Sequence, residues 1–347
     1  MIETPAYAAF DPRSPLRPHV ITRREPGDHD VLIDIAYCGI CHSDVHQARD
    51  EWGGSTFPMV PGHEIVGHVA KVGAKVTRFQ VGDPVGVGCM VGSCGVCGAC
   101  KKGMEQYCED RVIWTYNSTD ADGSPTQGGY STRITVREDF VLRVRKGLPL
   151  DKVAPLLCAG ITTYSPLKHW GIGPGRRLAV AGLGGLGHMA VKIGRALGAE
   201  VTVLSSSDRK SADALRFGAH EVIVSSAAGA LEKNQNRFDL LIDTVSAPHD
   251  LAAYLKLLRL DGAMVLVGIP ETPATVPAFP LIGKRRSLAG SLIGGIAETQ
   301  EMLDFCADHE IFSEIETIAA AGINEAYERL VRGDVRYRFV IDCETFR

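Results

Sequence analysis

Hydrophobic and polar positions divide the chain into two patterns. The first part contains short β-type runs, such as Val31–Ile35 and Ile65–Val69, separated by turns such as Val81–Pro84. Short apolar runs bounded by Gly, Pro and Asp are typical of strands. The sequence therefore predicts a mostly β domain over residues 1–155.

From about Arg177 onward, strand-like runs alternate with helical segments. This alternation predicts parallel strands joined by right-handed crossover helices, which together form a doubly wound α/β sheet. We expect this second domain to span residues 156–295. Its predicted strands are Arg177–Ala181, Glu200–Leu204, Glu221–Val224, Phe238–Asp243, Ala263–Val267 and Ser287–Leu292.

Residues 296–347 lie beyond the strands that such a sheet needs. The pattern predicts helices over Glu298–Asp308 and Asn324–Arg332 and a strand over Arg338–Asp342. Because the sheet is already complete, we expect this segment to return to the first domain. The length of 347 residues fits two packed domains, since single cores stop growing at smaller sizes.

The charge pattern excludes some classes of partner. The 37 basic and 41 acidic residues give a net charge of -4, without a long run of like charges. Nucleic acid and membrane surfaces are therefore not expected partners. The first residues, Met1–Pro5, carry an acid where a signal peptide has bases, and no apolar stretch reaches the ~18 residues of a bilayer span. We expect a cytoplasmic protein.

A glycine-rich segment follows the first predicted strand of the sheet and opens a predicted helix, His188–Leu197. Glycines at such a junction permit a tight turn and a close approach of the backbone to a pyrophosphate. The position predicts a dinucleotide site. Its candidate residues are Gly182, Leu183, Gly184, Gly185, Leu186 and Gly187.

The end of the second strand selects the cofactor. A carboxylate there accepts hydrogen bonds from the adenosine ribose and repels a 2′-phosphate. This chain has three hydroxyls and two cations instead, which suit a phosphate dianion; we interpret Asp208 as the N-cap of the next helix. We therefore expect NADP(H) rather than NAD(H). The candidate residues are Ser205, Ser206, Ser207, Arg209 and Lys210.

Four of the ten cysteines lie in one short segment, which favours metal binding over disulfides. Four thiolates from one loop suit a closed tetrahedral structural zinc. An iron–sulfur cluster also takes four cysteines, but nothing else in the chain suggests electron transfer. Cys89, Cys306 and Cys343 stand alone in apolar surroundings and are interpreted as packing residues. The predicted structural ligands are Cys94, Cys97, Cys100 and Cys108.

Several segments, taken in order, resemble the zinc-dependent medium-chain alcohol dehydrogenase family. The stretches Gly62–Gly67, Ala154–Thr162 and Gly333–Val340 are similar to its cinnamyl-alcohol-dehydrogenase-like branch, which includes bacterial broad-specificity NADP-dependent aldehyde reductases. The resemblance runs over nearly the whole chain. It implies a GroES-like, mostly β catalytic domain followed by a doubly wound Rossmann domain.

The resemblance also implies a second, catalytic zinc. Its protein ligands would be Cys41, His63 and Cys158, with the fourth position open for water or substrate. Glu64 would lie beside the metal, and Asp44 would orient His63 through its other ring nitrogen.

Further residues take their expected roles from the same resemblance. A proton relay would run from the Ser43 hydroxyl through a cofactor ribose hydroxyl to His46. His42 would lie near the pyrophosphate and Thr162 near the nicotinamide. Candidates for the substrate pocket are Gln47, Trp52, Trp114, Leu292 and Ile293.

The expected function is hydride transfer between NADP(H) and primary alcohols or aldehydes, aromatic or apolar aliphatic, acting as an aldehyde reductase with two zinc ions per chain. The last predicted strand, Ser287–Leu292, should be a sheet edge and the site of a homodimer contact. The alternatives are an NAD-dependent alcohol or polyol dehydrogenase and a non-catalytic relative. The dispersed metal set disfavours the non-catalytic relative, which would not need it.

Overall fold

The computed structural model describes residues 1–269 and 275–346. They form two compact units. Unit 1 comprises Met1–Cys158 and Gly294–Arg347, and unit 2 comprises Ala159–Ile293. The C-terminal segment therefore packs with the N-terminal part of the chain.

The elements follow the chain in three groups. The first group is β1 (Ile2–Ala8), β2 (Arg17–Arg23), β3 (Asp30–Ile40), α1 (His42–Ala48), β4 (Ile65–Val72), β5 (Pro84–Val87), β6 (Met90–Gly92), β7 (Ile113–Trp114), β8 (Arg133–Arg137), β9 (Leu142–Arg143) and α2 (Leu150–Val153). The second is α3 (Ala159–His169), β10 (Arg177–Ala181), α4 (Gly187–Ala196), β11 (Glu200–Ser205), α5 (Ser211–Arg216), β12 (Glu221–Val224), β13 (Phe238–Asp243), α6 (Leu251–Leu257), β14 (Leu258–Leu266), α7 (Phe279–Ile282) and β15 (Ser287–Gly290). The third is α8 (Ile296–Asp308), β16 (Ile315–Ala319), α9 (Ile323–Val331) and β17 (Arg338–Asp342).

The main sheet of unit 1 is built around the long strand β3. Its strand order is β16-β17-β3-β4-β5-β9, and β8 also pairs with β3. Two register pairs position the candidate site: Cys38 pairs with Ile65 of β4, and Ile40 pairs with Phe339 of β17. The end of β3, the start of β4 and the C-terminal strand therefore meet at one edge of the sheet.

Unit 2 is a parallel sheet with strand order β12-β11-β10-β13-β14-β15. Strand β13 is buried along its whole length, as expected for a sheet covered on both faces. Strands β11 and β13 pair with opposite sides of β10, so the strand order changes direction there. Such sheets bind ligands at this switch point. The predicted mostly β domain and doubly wound sheet are confirmed.

The strand limits differ from the predictions in several places, of which three have a clear cause. β14 begins at Leu258 rather than Ala263, because Phe238 of β13 already pairs with Leu258 before an irregular register step. β15 ends at Gly290 rather than Leu292, because the pair with Leu266 is its last. β3 runs past the predicted end at Ile35, since β4 and β17 pair with its second half. No helix of the described residues is long and apolar enough to cross a membrane.

Candidate functional site

The predicted structural-zinc loop brings its four thiols together. Their sulfur atoms lie within 4.8 Å of one another, and backbone N–H groups donate to several of them. Donation by the amides of Cys100 and Glu109 lowers the pKa of the Cys97 thiol to about 6. Four soft donors in a closed loop fit a tetrahedral zinc. The four residues are Cys94, Cys97, Cys100 and Cys108.

A second cluster forms where β3, β4 and the segment after α2 converge. Ligand atoms of Cys41, His63, Glu64 and Cys158 lie within 4.8 Å of one another, and all four residues are buried. Cys41 follows β3, and His63 and Glu64 precede β4. Cys158 follows a short turn, Ala154–Leu157, which packs against β5.

The electrostatics of this cluster favour a bound cation. The Sγ atoms of Cys41 and Cys158 are 3.9 Å apart. The Cys158 thiol lowers the pKa of Cys41 well below its ordinary value, and the Cys41 thiol in turn raises the pKa of Cys158. Two buried thiols this close ionise together only if a positive charge neutralises them. Two sulfurs and one imidazole nitrogen are ligands that zinc prefers, so the residues fit the metal.

Asp44 organises the cluster from behind. Its carboxylate is fully buried and accepts hydrogen bonds from the Cys41 amide (2.8 Å), the Gly62 amide (3.1 Å) and the Tyr130 hydroxyl (3.2 Å). His63 Nδ1 lies 3.1 Å from the same carboxylate. Because a carboxylate accepts, Nδ1 carries the hydrogen, which leaves Nε2 free to bind a metal. This is the arrangement that the resemblance implied for Asp44 and His63.

Glu64 forms a buried ion pair with Arg338. Arg338 was not among the predicted site residues. One carboxylate oxygen of Glu64 contacts the Arg338 guanidinium, while Oε2 has no hydrogen-bond partner among the described residues. Burial raises the pKa of Glu64 to about 7, although Arg338 opposes the shift. Arg338 arrives through the pairing of β17 with β3. A basic residue at the start of an apolar strand was the available signal.

Two more neighbours of the cluster were not predicted to lie there. Tyr116 stacks on the His63 ring with centroids 5.9 Å apart. Cys89, interpreted as a packing residue, is only partly buried, and its thiol interacts with that of Cys158. Cys306 and Cys343 are buried, as their packing interpretation requires. A further residue that was not predicted, Glu51, contacts His46 of the relay rather than the cluster.

Helix α1 carries the predicted relay residues. Ser43 Oγ lies 3.7 Å from Cys41 Sγ, and His46 is one helical turn further on. His46 Nδ1 hydrogen-bonds to the Glu51 carboxylate, and its ring stacks on Trp52 with centroids 4.9 Å apart. An acid in the turn after the helix was the signal that could have identified Glu51. The Glu51 carboxylate fixes the orientation of the His46 ring.

The other candidates of unit 1 lie on this helix, in the loop after it and on β7. Gln47 Oε1 accepts from Asn117 Nδ2 (2.6 Å), which follows β7, and from Ser55 Oγ (3.2 Å) in the loop after α1. His42 is exposed at the first turn of α1, Trp52 is exposed, and Trp114 is half-buried in β7. The candidates of unit 2 are buried Thr162 in α3, exposed Leu292 and buried Ile293 after β15.

The glycine-rich segment in unit 2 makes the predicted tight turn between β10 and α4. Gly182 has a φ of +87°, a left-handed conformation that favours glycine. A side chain at Gly182 would meet the hydroxyl of Thr244, and one at Gly187 would meet the carbonyl of Gly182. Glycine at these two positions therefore permits the tight turn, and turns of this kind bring the start of a helix close to a phosphate.

The predicted phosphate-selecting residues lie beside this turn, since β10 and β11 are neighbours. Lys210 Nζ donates to the Leu183 carbonyl at 3.1 Å, which holds its charge over the glycine-rich turn. Ser205 Oγ donates to the Ser207 carbonyl at 2.7 Å, and Ser206 is exposed. The interpretation of Asp208 as an N-cap was wrong. The cap position is Ser207, and Asp208 is exposed in the first turn of a short 3-10 helix with Arg209.

Two thiol clusters with different surroundings predict two zinc ions with separable roles. We expect Cys100→Ser to lower the free energy of unfolding, because a structural metal stabilises its loop. Cys158→Ser should lower turnover by about a thousandfold, because a Lewis acid contributes several kcal/mol to transition-state stabilisation, while the protein stays folded. Chemical denaturation measures the first effect, steady-state turnover measures the second, and metal analysis of each variant shows which zinc is lost. Cys306→Ala, which belongs to neither cluster, is the control; one zinc per chain in active wild-type protein would contradict the prediction.

The sequence matches two protein families and several known proteins. Residues 27–146 match the family described as alcohol dehydrogenase GroES-like domain, and residues 185–308 match the zinc-binding dehydrogenase family. The chain is 58% identical to "NADP-dependent alcohol dehydrogenase C 1" of Mycolicibacterium smegmatis over 99% of this chain and 98% of the relative. It is 54% identical to "Aldehyde reductase YahK" of Escherichia coli over 98% of each chain.

Two solved structures are similar to this chain over nearly its whole length. A cinnamyl alcohol dehydrogenase from Sorghum bicolor superposes with a TM-score of 0.96 at 46% identity, covering 99% of this chain and 98% of that one. The enzyme described as CAD from Helicobacter pylori, complexed with NADP(H), superposes with a TM-score of 0.93 at 45% identity, covering 99% of both chains. The chain therefore belongs to the zinc-dependent medium-chain alcohol dehydrogenase family, in its cinnamyl-alcohol-dehydrogenase-like branch, as the sequence motifs predicted.

Proposed function

We propose that the protein transfers a hydride between NADP(H) and primary alcohols or aldehydes, and that it acts as a reductase of aromatic or apolar aldehydes. The observation that carries this proposal is the convergence of two thiols and one imidazole on a single buried point, with the imidazole oriented by Asp44. This donor set suits a zinc with an open position rather than a closed structural metal.

Zinc bound there would act as a Lewis acid on the substrate oxygen, and NADP(H) would supply or accept the hydride. The chain's own residues would manage the proton. The Ser43 hydroxyl, close to Cys41, would give a proton to the substrate oxygen or take one from it. His46 would pass the proton to solvent, with its ring held by Glu51.

Two features of unit 2 and the name of one relative support the preference for NADP(H). No carboxylate terminates β11, which ends at Ser205. Lys210 is held beside the glycine-rich turn, where its ammonium group can bind a 2′-phosphate as well as the backbone carbonyl. Relatives support the same choice, because the Mycolicibacterium smegmatis protein is named as NADP-dependent.

The aromatic side chains of unit 1 support apolar substrates. Trp52 lies against His46, and Trp114 lies on a short strand that pairs with β6. A site lined by such residues favours an apolar aldehyde over a polyol. Two relatives agree, since one is named as an aldehyde reductase and another as a probable cinnamyl alcohol dehydrogenase of Oryza sativa. The alternative is an NAD-dependent alcohol or polyol dehydrogenase.

Activity with both cofactors tests the proposal. We expect loss of 340 nm absorbance when NADPH, benzaldehyde and the protein are mixed, with little activity toward NADH or polyols. Lys210→Met should lower kcat/KM for NADPH by about 10- to 100-fold, because it removes one charge-assisted hydrogen bond, and should change kcat/KM for NADH much less. Lys233→Met, at an exposed position of the same unit, is the matched control. Equal use of NADH by the wild type would contradict the cofactor assignment.

The relay has its own test. Ser43→Ala should lower kcat by about a hundredfold, the lower range for general acid–base catalysis, with little change in NADPH affinity. Ser43→Thr retains the hydroxyl and should remain close to wild-type activity. Normal turnover in Ser43→Ala would remove this side chain from the proton path.

We also propose a cytoplasmic homodimer. All ten cysteines are free thiols, which suits a reducing compartment. Strand β15 is an edge of the unit 2 sheet, and the preceding helix α7 exposes Phe279 and Ile282, at 81% and 74% of their surface. An unpaired edge beside exposed apolar side chains favours pairing with a second copy by two-fold symmetry.

Light scattering tests this assembly. We expect a dimer at micromolar concentration, and Ile282→Arg should shift it toward monomer because a charge would enter the apolar contact. Leu215→Arg, at an exposed apolar position in α5, should leave the mass unchanged. A monomeric wild type would count against the edge contact.

A further inference from the structure

Two buried tyrosines continue the hydrogen-bond network behind His63. The Tyr327 hydroxyl donates to the Tyr130 hydroxyl at 3.4 Å, and the Tyr130 hydroxyl donates to Asp44 Oδ2 at 3.2 Å. The two rings meet edge to face, with centroids 6.4 Å apart. Tyr130 and Asp44 are fully buried and Tyr327 is 3% exposed. We call Tyr327, Tyr130 and Asp44 the hydroxyl chain.

The backbone around Tyr130 ties this residue to the segment that carries His63. The amide of Gly129 donates to the Gly62 carbonyl at 2.9 Å, and the amide of Tyr130 donates to the Pro61 carbonyl at 2.9 Å. A side chain at Gly129 would collide with Cys38 and Ile65. Glycine at position 129 therefore allows the close approach that brings the Tyr130 hydroxyl to Asp44.

Helix α9 supplies the other end of the chain. It belongs to the C-terminal segment of unit 1 and buries Tyr327 together with Ile323, Ala326 and Leu330. Burial keeps the hydroxyls of Tyr130 and Tyr327 neutral by raising the pKa of each well above its ordinary value. Each hydroxyl has a single hydrogen, so the donation can run only from Tyr327 through Tyr130 to the carboxylate. Hydrogen bonds aligned in this way polarise and strengthen one another.

The carboxylate needs these donors because it is out of contact with water. A buried ionised carboxylate is tolerated only when its oxygens are hydrogen-bonded. Asp44 Oδ1 accepts from Gly62 and faces His63, whereas Oδ2 accepts from Cys41 and Tyr130. Loss of the Tyr130 hydroxyl would remove one of the donors that hold Oδ2 in place. The carboxylate plane, and with it the imidazole, would then be less firmly fixed.

We propose that Tyr130 and Tyr327 are positioning residues for the metal ligand His63, acting through Asp44. The inference rests on the proposed function, because it takes Cys41, His63 and Cys158 as the catalytic zinc site. Groups that orient a metal ligand from behind contribute to metal affinity, and their loss costs about 10- to 100-fold.

Tyr130→Phe tests the proposal, since it removes one hydroxyl and retains the ring. We expect zinc to leave the catalytic site about 10- to 100-fold faster, followed with a chromogenic chelator on the holoenzyme. The visible bands of the protein with cobalt in the catalytic site should also shift, because the imidazole changes orientation. A residue that only fills the core would change the free energy of unfolding without changing either readout.

Tyr327→Phe provides the second variant and covers the case in which Tyr130→Phe does not fold. Its effect on zinc release should be smaller, about threefold. Tyr327→Phe only weakens the hydrogen bond from Tyr130 to Asp44, whereas Tyr130→Phe removes that bond. In the Tyr130→Phe background it should have no further effect on zinc release. Tyr254→Phe, a buried tyrosine of unit 2, is the control and should leave zinc release unchanged.

Unchanged zinc release and unchanged cobalt bands in both tyrosine variants would overturn the inference while leaving the proposed function intact. Additive effects in the double variant would show that Tyr327 does not act through Tyr130. If the wild type holds no zinc at Cys41, His63 and Cys158, the proposed function fails, and the inference fails with it. The wild-type measurement therefore separates the two outcomes.

Discussion

The buried carboxylate of Asp44 is the constraint on which the site depends. A fully buried charge costs several kcal/mol unless donors surround it. Here the donors come from segments that are distant along the chain: the end of β3, the residues before β4 and the loop that holds Tyr130. These segments must converge for the charge to be satisfied. Their convergence is also what brings Cys41 and His63 together.

A second buried carboxylate, that of Glu64, depends in the same way on a residue near the end of the chain. Glu64 is satisfied on one oxygen by Arg338, which β17 delivers when it pairs with β3. The remaining oxygen has no hydrogen-bond partner among the described residues, and it lies with the two thiols in one buried cluster whose nearby cation is Arg338. With both thiols ionised, the negative charges of the two thiolates and Glu64 would exceed the single charge of Arg338, and a divalent cation would neutralise the excess. Metal binding and the folding of unit 1 should accordingly be coupled.

Much of the fold could be predicted from local pattern, because strands of a parallel sheet read as short apolar runs. The strands Arg177–Ala181 and Phe238–Asp243 have the predicted limits. The limits failed where pairing decided them: a partner strand extended β14 backward to Leu258 and the last pair ended β15 at Gly290. Family membership followed from motifs, which also united cysteines and histidines that spacing alone could not connect.

Two of the missed residues, Arg338 and Tyr130, share one cause. Arg338 reaches Glu64 across 274 positions, and Tyr130 reaches Asp44 across 86. No local period or spacing encodes such contacts, since sheet register and helix packing create them. The interpretation of Asp208 as an N-cap was wrong for a local reason: a short 3-10 helix begins at that residue, so the N-cap is Ser207. Local pattern predicted the elements, whereas the contacts that support the ligands required the three-dimensional structure.

Anomalous diffraction at the zinc absorption edge, from crystals of the native protein, tests the central claim most directly. The account predicts two metal peaks per chain. One should lie among the four sulfurs of the Cys94–Cys108 loop. The other should lie about 2.3 Å from the sulfurs of Cys41 and Cys158 and about 2.0 Å from Nε2 of His63. A single peak in the thiol loop, with no metal at His63, would contradict it.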